Sequence, residues 1–227
     1  MYKFNPISDI SLFENIQTQH FYNKEDIKKK RKRMFQYIYW FNDDELVKNK
    51  KDNEIFKRDL IKYIVNNIPI LEEWCGYKYK EIIYDSFKDG KSSEIFRNKI
   101  INHSHLYFII IDSDNNVFGH YHNGIIDRIG DLIYDSNIFM FTLNSNGRCG
   151  IKKFNNKEPD DVFTGIYDDN DFYGCCGGYA IREIDKNKSW VDSEISGYFD
   201  IDDPTIFTGS CLPDYFAPKR IVVLQFN

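Results

Sequence analysis

The chain has 227 residues, 42% of them hydrophobic and 17% aromatic, and a formal net charge of −5. A polypeptide of this length buries roughly 70% of its extended surface, so it does not depend on disulfide or zinc staples. The abundant Tyr and Phe exclude intrinsic disorder, and the mild negative charge excludes a molecule whose whole surface attracts polyanions.

At the N-terminus, "MYKFNPISDISLF" shows no basic segment leading into an apolar stretch, so no secretory leader is expected. "KEDIKKKRKRMFQYIYWF" places Ile27, Met34 and Ile38 on one helical face, with a cationic run at Lys28 to Arg33. Asn42 or Asp43 then offers a side-chain oxygen to cap a second helix. That helix is expected to reach about Asn66, because Phe56, Leu60 and Ile64 recur every four residues and Ile61, Val65 and Ile68 widen the stripe. Pro69 ends it, since the residue before a proline avoids the α region. Residues 1–69 are therefore read as a helical N-terminal region, and residues 70–227 as a separate domain.

Beyond Pro69 the period changes. Short apolar or alternating runs appear at 81–85, 106–112, 116–121, 137–143, 161–167, 177–183 and 219–226, separated by Asp, Asn and Gly. Each has the length of an ordinary strand, bounded by residues that favour turns. One helix, "SEIFRNKII" at 93–101, interrupts them. Long helices do not alternate with the strands, so a doubly wound parallel sheet is not expected. The fold class expected is α+β: an antiparallel β core with helices at its flanks. The longest apolar run, "LYFIII" at 106–111, is too short to cross a bilayer, so no membrane insertion is expected.

Several segments in order, "LEEWCGYKYKEIIYDS", "LYFIIIDSDNNVFGHY", "NIFMFTLNSNGR", "CGGYAI" and "FAPKRIVVLQF", resemble the TLDc domain family over about residues 70–227. The resemblance implies a two-sheet antiparallel β-sandwich with flanking helices. It also implies a role in resistance to oxidative stress, contact with the vacuolar proton-pumping ATPase in several members, and no established enzyme activity. Where the family commonly reads Phe-Gly-Gly-Tyr, this chain has Phe118, Gly119, His120 and Tyr121.

Four stretches carry residues capable of chemistry. Asp112, Asp114 and Asn116 alternate like the start of a calcium loop. An EF-hand, however, needs Gly at position six and a bidentate Glu at position twelve, where this chain has Val117 and Asn123. The stretch reads instead as a turn between two strands. His120 and His122, two apart in a strand, share a face. His103 and His105 are expected to approach them from the partner strand, and four imidazoles would suit a transition metal, although no nearby Glu or Cys completes a ligand set.

In "YGCCGGYA", Cys175 and Cys176 lie among Gly174, Gly177 and Gly178. A reactive thiol needs a neighbouring cation or helix N-terminus, and neither is present, so packing around a sharp bend is the expected role. The remaining cysteines are Cys75, Cys149 and Cys211; the odd number and the absence of C-x-x-C argue against a disulfide framework or zinc ribbon. The basic run Lys28 to Arg33 fits a solvated helix face, or else a localisation or phosphate-binding patch. Ser210 lacks the G-x-S-x-G setting of a hydrolase nucleophile, Asn146-Gly147 reads as a turn, and Asp168 to Asp171 as an exposed loop.

The reading that joins these observations is a non-enzymatic, TLDc-like protein-interaction domain. It is expected in the cytoplasm and also in the nucleus, with a vacuolar ATPase subunit as a candidate partner. No catalytic, metal or cofactor residue is assigned. Two alternatives stand beside it: a nuclear stress regulator that contacts DNA through the basic helix, and a metal-dependent enzyme built on the four histidines.

Overall fold

Residues 106–111 have no polar face, so the strand they form needs cover on both sides. The computed structural model describes residues 60–227, and in it strand β2 (Leu106–Asp112) is buried at every position. Its neighbours in sequence are α1 (Ile68–Cys75), β1 (Tyr79–Asp85) and α2 (Ser93–Ile100). The chain continues through β3 (Val117–His122), β4 (Asp131–Tyr134), β5 (Phe139–Asn144) and β6 (Lys152–Asn155). Then come β7 (Phe163–Ile166), β8 (Tyr173–Cys175), β9 (Tyr179–Ile181), β10 (Trp190–Val191) and β11 (Pro218–Phe226). Tyr63–Asn227 forms one compact unit.

The strands make two antiparallel sheets, one in the order β1-β11-β2-β3-β5-β6 and one in the order β10-β9-β8-β7-β4. This is the α+β sandwich expected from the sequence. Alternation decides which residues meet between the sheets. From the six-stranded sheet come Phe108, Ile110, Phe118, Met140, Ile221 and Val223; from the other, Ile166, Tyr173, Tyr179 and Ile181, all in one core cluster. α2 closes one end by inserting Phe96, whose ring lies 5.2 Å from Tyr84 and 5.3 Å from Tyr173.

α1 covers the outer face of the six-stranded sheet. Trp74 packs 6.4 Å from Phe139 and 6.1 Å from Phe141, and the Tyr107 hydroxyl donates to the Leu71 carbonyl at 2.7 Å. Pro69 plays a different part from the one read in the sequence. Residues 63–66 are helical and the chain turns at Asn67, but Pro69 then stands in the first turn of α1. A proline is tolerated there because its missing N–H has no acceptor in the first turn. The segment after the proline is thus one more helix before the first strand. None of the described helices is long and apolar enough to cross a membrane.

Arg220 and Asp85, both nearly fully buried, join β11 to the end of β1. The guanidinium Nε donates to Asp85 Oδ1 at 2.8 Å, Nη2 donates to Oδ2, and the charge stands 4.7 Å from the Phe87 ring. A fork of this kind fixes orientation as well as charge. In the next residues, the Ser86 amide donates to the Ile221 carbonyl at 2.9 Å and the Ile221 amide to Ser86 Oγ at 3.1 Å.

Gly119 is the tightest point of the sheet. A Cβ there would lie 1.8 Å from the Phe108 carbonyl oxygen and 3.2 Å from the Phe141 ring, so the obstacle is backbone and cannot rotate away. Gly119→Ala is expected to lower stability by about 3 kcal/mol, the upper range for overpacking a core. Chemical denaturation compared with wild type measures this.

Candidate functional site

β3 carries Phe118, His120 and His122 on the face turned toward the second sheet, and both imidazoles are fully buried. Opposite them, β7 contributes Thr164 and β9 contributes Tyr179. The Thr164 hydroxyl lies 2.9 Å from His120 Nε2 and 3.0 Å from His122 Nδ1, and the Tyr179 hydroxyl lies 2.6 Å from His120 Nδ1. The His120 ring is stacked on Phe108, parallel to within 1° with centroids 4.7 Å apart.

A hydroxyl has one proton to give, so Thr164 donates to one ring and accepts from the other. Asp135 Oδ2 stands 3.8 Å from His122 Nδ1 and favours a proton on that nitrogen. This assigns a direction to the chain: His122 Nδ1–H donates to Thr164, Thr164 to His120 Nε2, and His120 Nδ1–H to Tyr179. His122 Nε2 is left as a buried lone pair without a hydrogen-bond partner among the described residues. Burial, and then the neighbouring His122, pushes His120 well below the ordinary imidazole range. Burial pulls His122 down to about 4 against the opposing pull of Asp135. Both rings are therefore neutral hydrogen-bonding spacers between the sheets.

The expected convergence of four imidazoles does not occur. Leu106 pairs with His122 across the β2–β3 ladder, so Leu106 takes the shared face and His105 falls outside it. His105 has a φ of 54°, and its ring lies 3.9 Å from Tyr77. Its Nδ1 is 3.1 Å from Asn123 Oδ1 and 3.3 Å from the Tyr121 hydroxyl. His103 turns to Gln225, 3.2 Å away. The described residues contain no group of three or more His, Cys, Asp or Glu arranged to hold a metal ion.

The oxygens of Asp112 are turned into their own loop. Oδ1 accepts from the Asp114 and Asn116 amides, each at 2.9 Å, and Oδ2 accepts from Asn116 Nδ2 at 2.6 Å. Asn115 sits at φ 67°, which an Asn tolerates. Arg148, to which the sequence reading gave no role, ties this loop to the 3₁₀ turn Pro204–Ile206. It donates to Asn116 Oδ1 and, at 3.1 Å and 2.9 Å, to the carbonyls of Ile206 and Phe207.

Cys175 is buried, which pushes its thiol well above the ordinary value. Cys176 is pushed up to about 11, first by burial and then by Asp161 and Asp192. Neither has the cationic setting that makes a thiolate. Gly177 makes the turn between them and β9 at φ 58°, and a Cβ there would stand 1.9 Å from the Tyr198 ring. The basic run Lys28 to Arg33 lies outside the described residues.

Thr164, Tyr179, Tyr173 and Asp135 are the members of the site that were not read from the sequence. The available signal for Thr164 was parity: in "DVFTGIY" it shares the inward register of Ile166.

A two-sheet antiparallel sandwich with two imidazoles enclosed between its sheets describes this domain. The model of the TLDc domain matches residues 49–215, and the chain belongs to that family. No curated protein matches the chain.

Three outcomes follow from the neutral histidines and the masked thiols. An imidazole whose folded pKa is depressed binds fewer protons than in the unfolded chain, so its contribution is complete above about 6.5 and lost as pH falls toward 4. For His122 this amounts to about 3 kcal/mol. Denaturation midpoints should therefore fall between pH 6.5 and 4, and Thr164→Val should cost about 2 kcal/mol at neutral pH by stripping both rings of a partner. Alkylation of Cys176 should be slow at neutral pH and accelerate toward about pH 11, as read by peptide mass spectrometry.

Proposed function

We propose that this chain is a non-enzymatic protein-interaction domain serving the oxidative-stress response in the cytoplasm and nucleus, with a vacuolar ATPase subunit as a candidate partner. Family membership supports the setting. The observation that carries the non-enzymatic reading is the enclosure of the reactive side chains. His120, His122 and Cys175 lie between the sheets, bonded or packed to Thr164, Tyr179 and Phe108. There they hold two sheets in register and present no group to a substrate. A domain so built acts through its surface.

Affinity capture from cells with the full chain, with and without peroxide, tests the reading. A stoichiometric protein partner that survives washing is expected, and a vacuolar ATPase subunit among the captured chains would identify the contact. Recovery of no stable partner under either condition overturns it.

A further inference from the structure

The outer faces of the two sheets differ. That of the six-stranded sheet lies under α1. On the five-stranded sheet a cross-strand row runs Trp190, Ala180, Gly174, Gly165, Leu132 from β10 to β4. An antiparallel sheet with one face in water normally shows polar residues there. This face shows rings and aliphatic carbon. At the β4 edge Leu132 is 42% and Tyr134 60% exposed, with Phe163 packed 5.4 Å from Tyr134. At the β10 edge Trp190 meets Tyr215 edge-on at 6.2 Å, and Tyr215 is 49% exposed. Between the two edges, the Arg182 guanidinium lies 4.8 Å from both the Tyr167 and Trp190 rings. Tyr, Trp and Arg are the residue types that dominate binding hot spots.

The rim is acidic. Asp161 and Asp168 are exposed; Asp168 overhangs Gly130, just ahead of β4, and Asp161 lies close enough to Cys176 to affect its thiol. Three of the cations nearby are paired, Arg182 with Asp171, Lys188 with Glu183, and Arg128 with Asp127 and Asp131, and Lys186 is exposed beside them. The surplus charge on this face is negative.

We infer that the outer face of the five-stranded sheet is a docking surface for a basic amphipathic helix of a partner protein, anchored at Leu132 and Tyr134 on one edge and at Trp190 and Tyr215 on the other. This rests on the interaction role proposed above and names its surface. Four inter-strand steps of about 4.8 Å separate the anchors by about 19 Å, which about thirteen residues of helix span at 1.5 Å each. An apolar stripe on such a helix covers the rings, and flanking Lys or Arg meets the acidic rim.

The test is titration of the full chain with a synthetic amphipathic helix of Leu and Lys, and with its Leu and Glu counterpart, followed by fluorescence anisotropy. The basic peptide should bind and the acidic one should not. Tyr134→Ala and Trp190→Ala should each weaken binding about tenfold, while Ile151→Ala, exposed ahead of β6, should leave it unchanged. The double reversal Asp161→Lys with Asp168→Lys, at two exposed positions, should also favour the acidic peptide and guards against misfolding of the aromatic variants. No binding, equal binding of both peptides, or affinity indifferent to all these changes overturns the inference. The two readings separate in the cellular capture. A partner retained by the Tyr134→Ala, Trp190→Ala double variant overturns this face and leaves the interaction role standing. A chain that holds the basic peptide through these residues yet captures nothing from cells overturns the role and leaves the face.

Discussion

The structure depends on the double coverage of β2. A strand without a polar side must be enclosed, and everything around it follows from that need. β11 and β3 flank it in the ladder, the second sheet covers one face, and α1 covers the other. With both faces closed, polar side chains on the inner register must find partners inside, because an unpaired buried polar group costs more than its hydrogen bond would gain. His120 meets that condition at both ring nitrogens and His122 at Nδ1, through the Thr164 they share. Tyr179 and Asp135 set the ends of the chain.

The same requirement separates the two sheets. Five-stranded packing needs only one apolar face, and that face is satisfied by the core. Any apolar area on its other side is surplus to folding. Leu132, Tyr134 and Trp190 are surplus in this sense, whereas the histidines and Cys175 are buried between the sheets. The buried histidines lie on β3 of the six-stranded sheet, and the surplus apolar residues on β4 and β10 of the other.

How much was legible in the sequence depends on segment length and neighbours. β2 and β11 were legible almost to the residue, because runs of branched and aromatic residues allow no other element at that length. α2 was legible for its amphipathic spacing. β4, β6, β8 and β10 escaped notice: two to four residues give no period, and "DLIY" is embedded in an acid-rich stretch. Pro69 was read as the end of a helix and stands instead in the first turn of α1, since the ring that stops one helix suits the first turn of the next. Of the site, the shared face of His120 and His122 followed from alternation. The misplacement of His105 came from the register, in which Leu106 pairs with His122, and Thr164 was hidden because its partners are remote in the chain.

β11 has one further bearing. It is the last strand in chain order, yet it stands between β1 and β2 and is the means by which they join the same sheet. During synthesis, then, β1 and β2 are made well before the strand that joins them, and Asp85 well before its arginine. β1 enters the sheet only once β11 has been made, and loss of β11 would leave β1 without its neighbour.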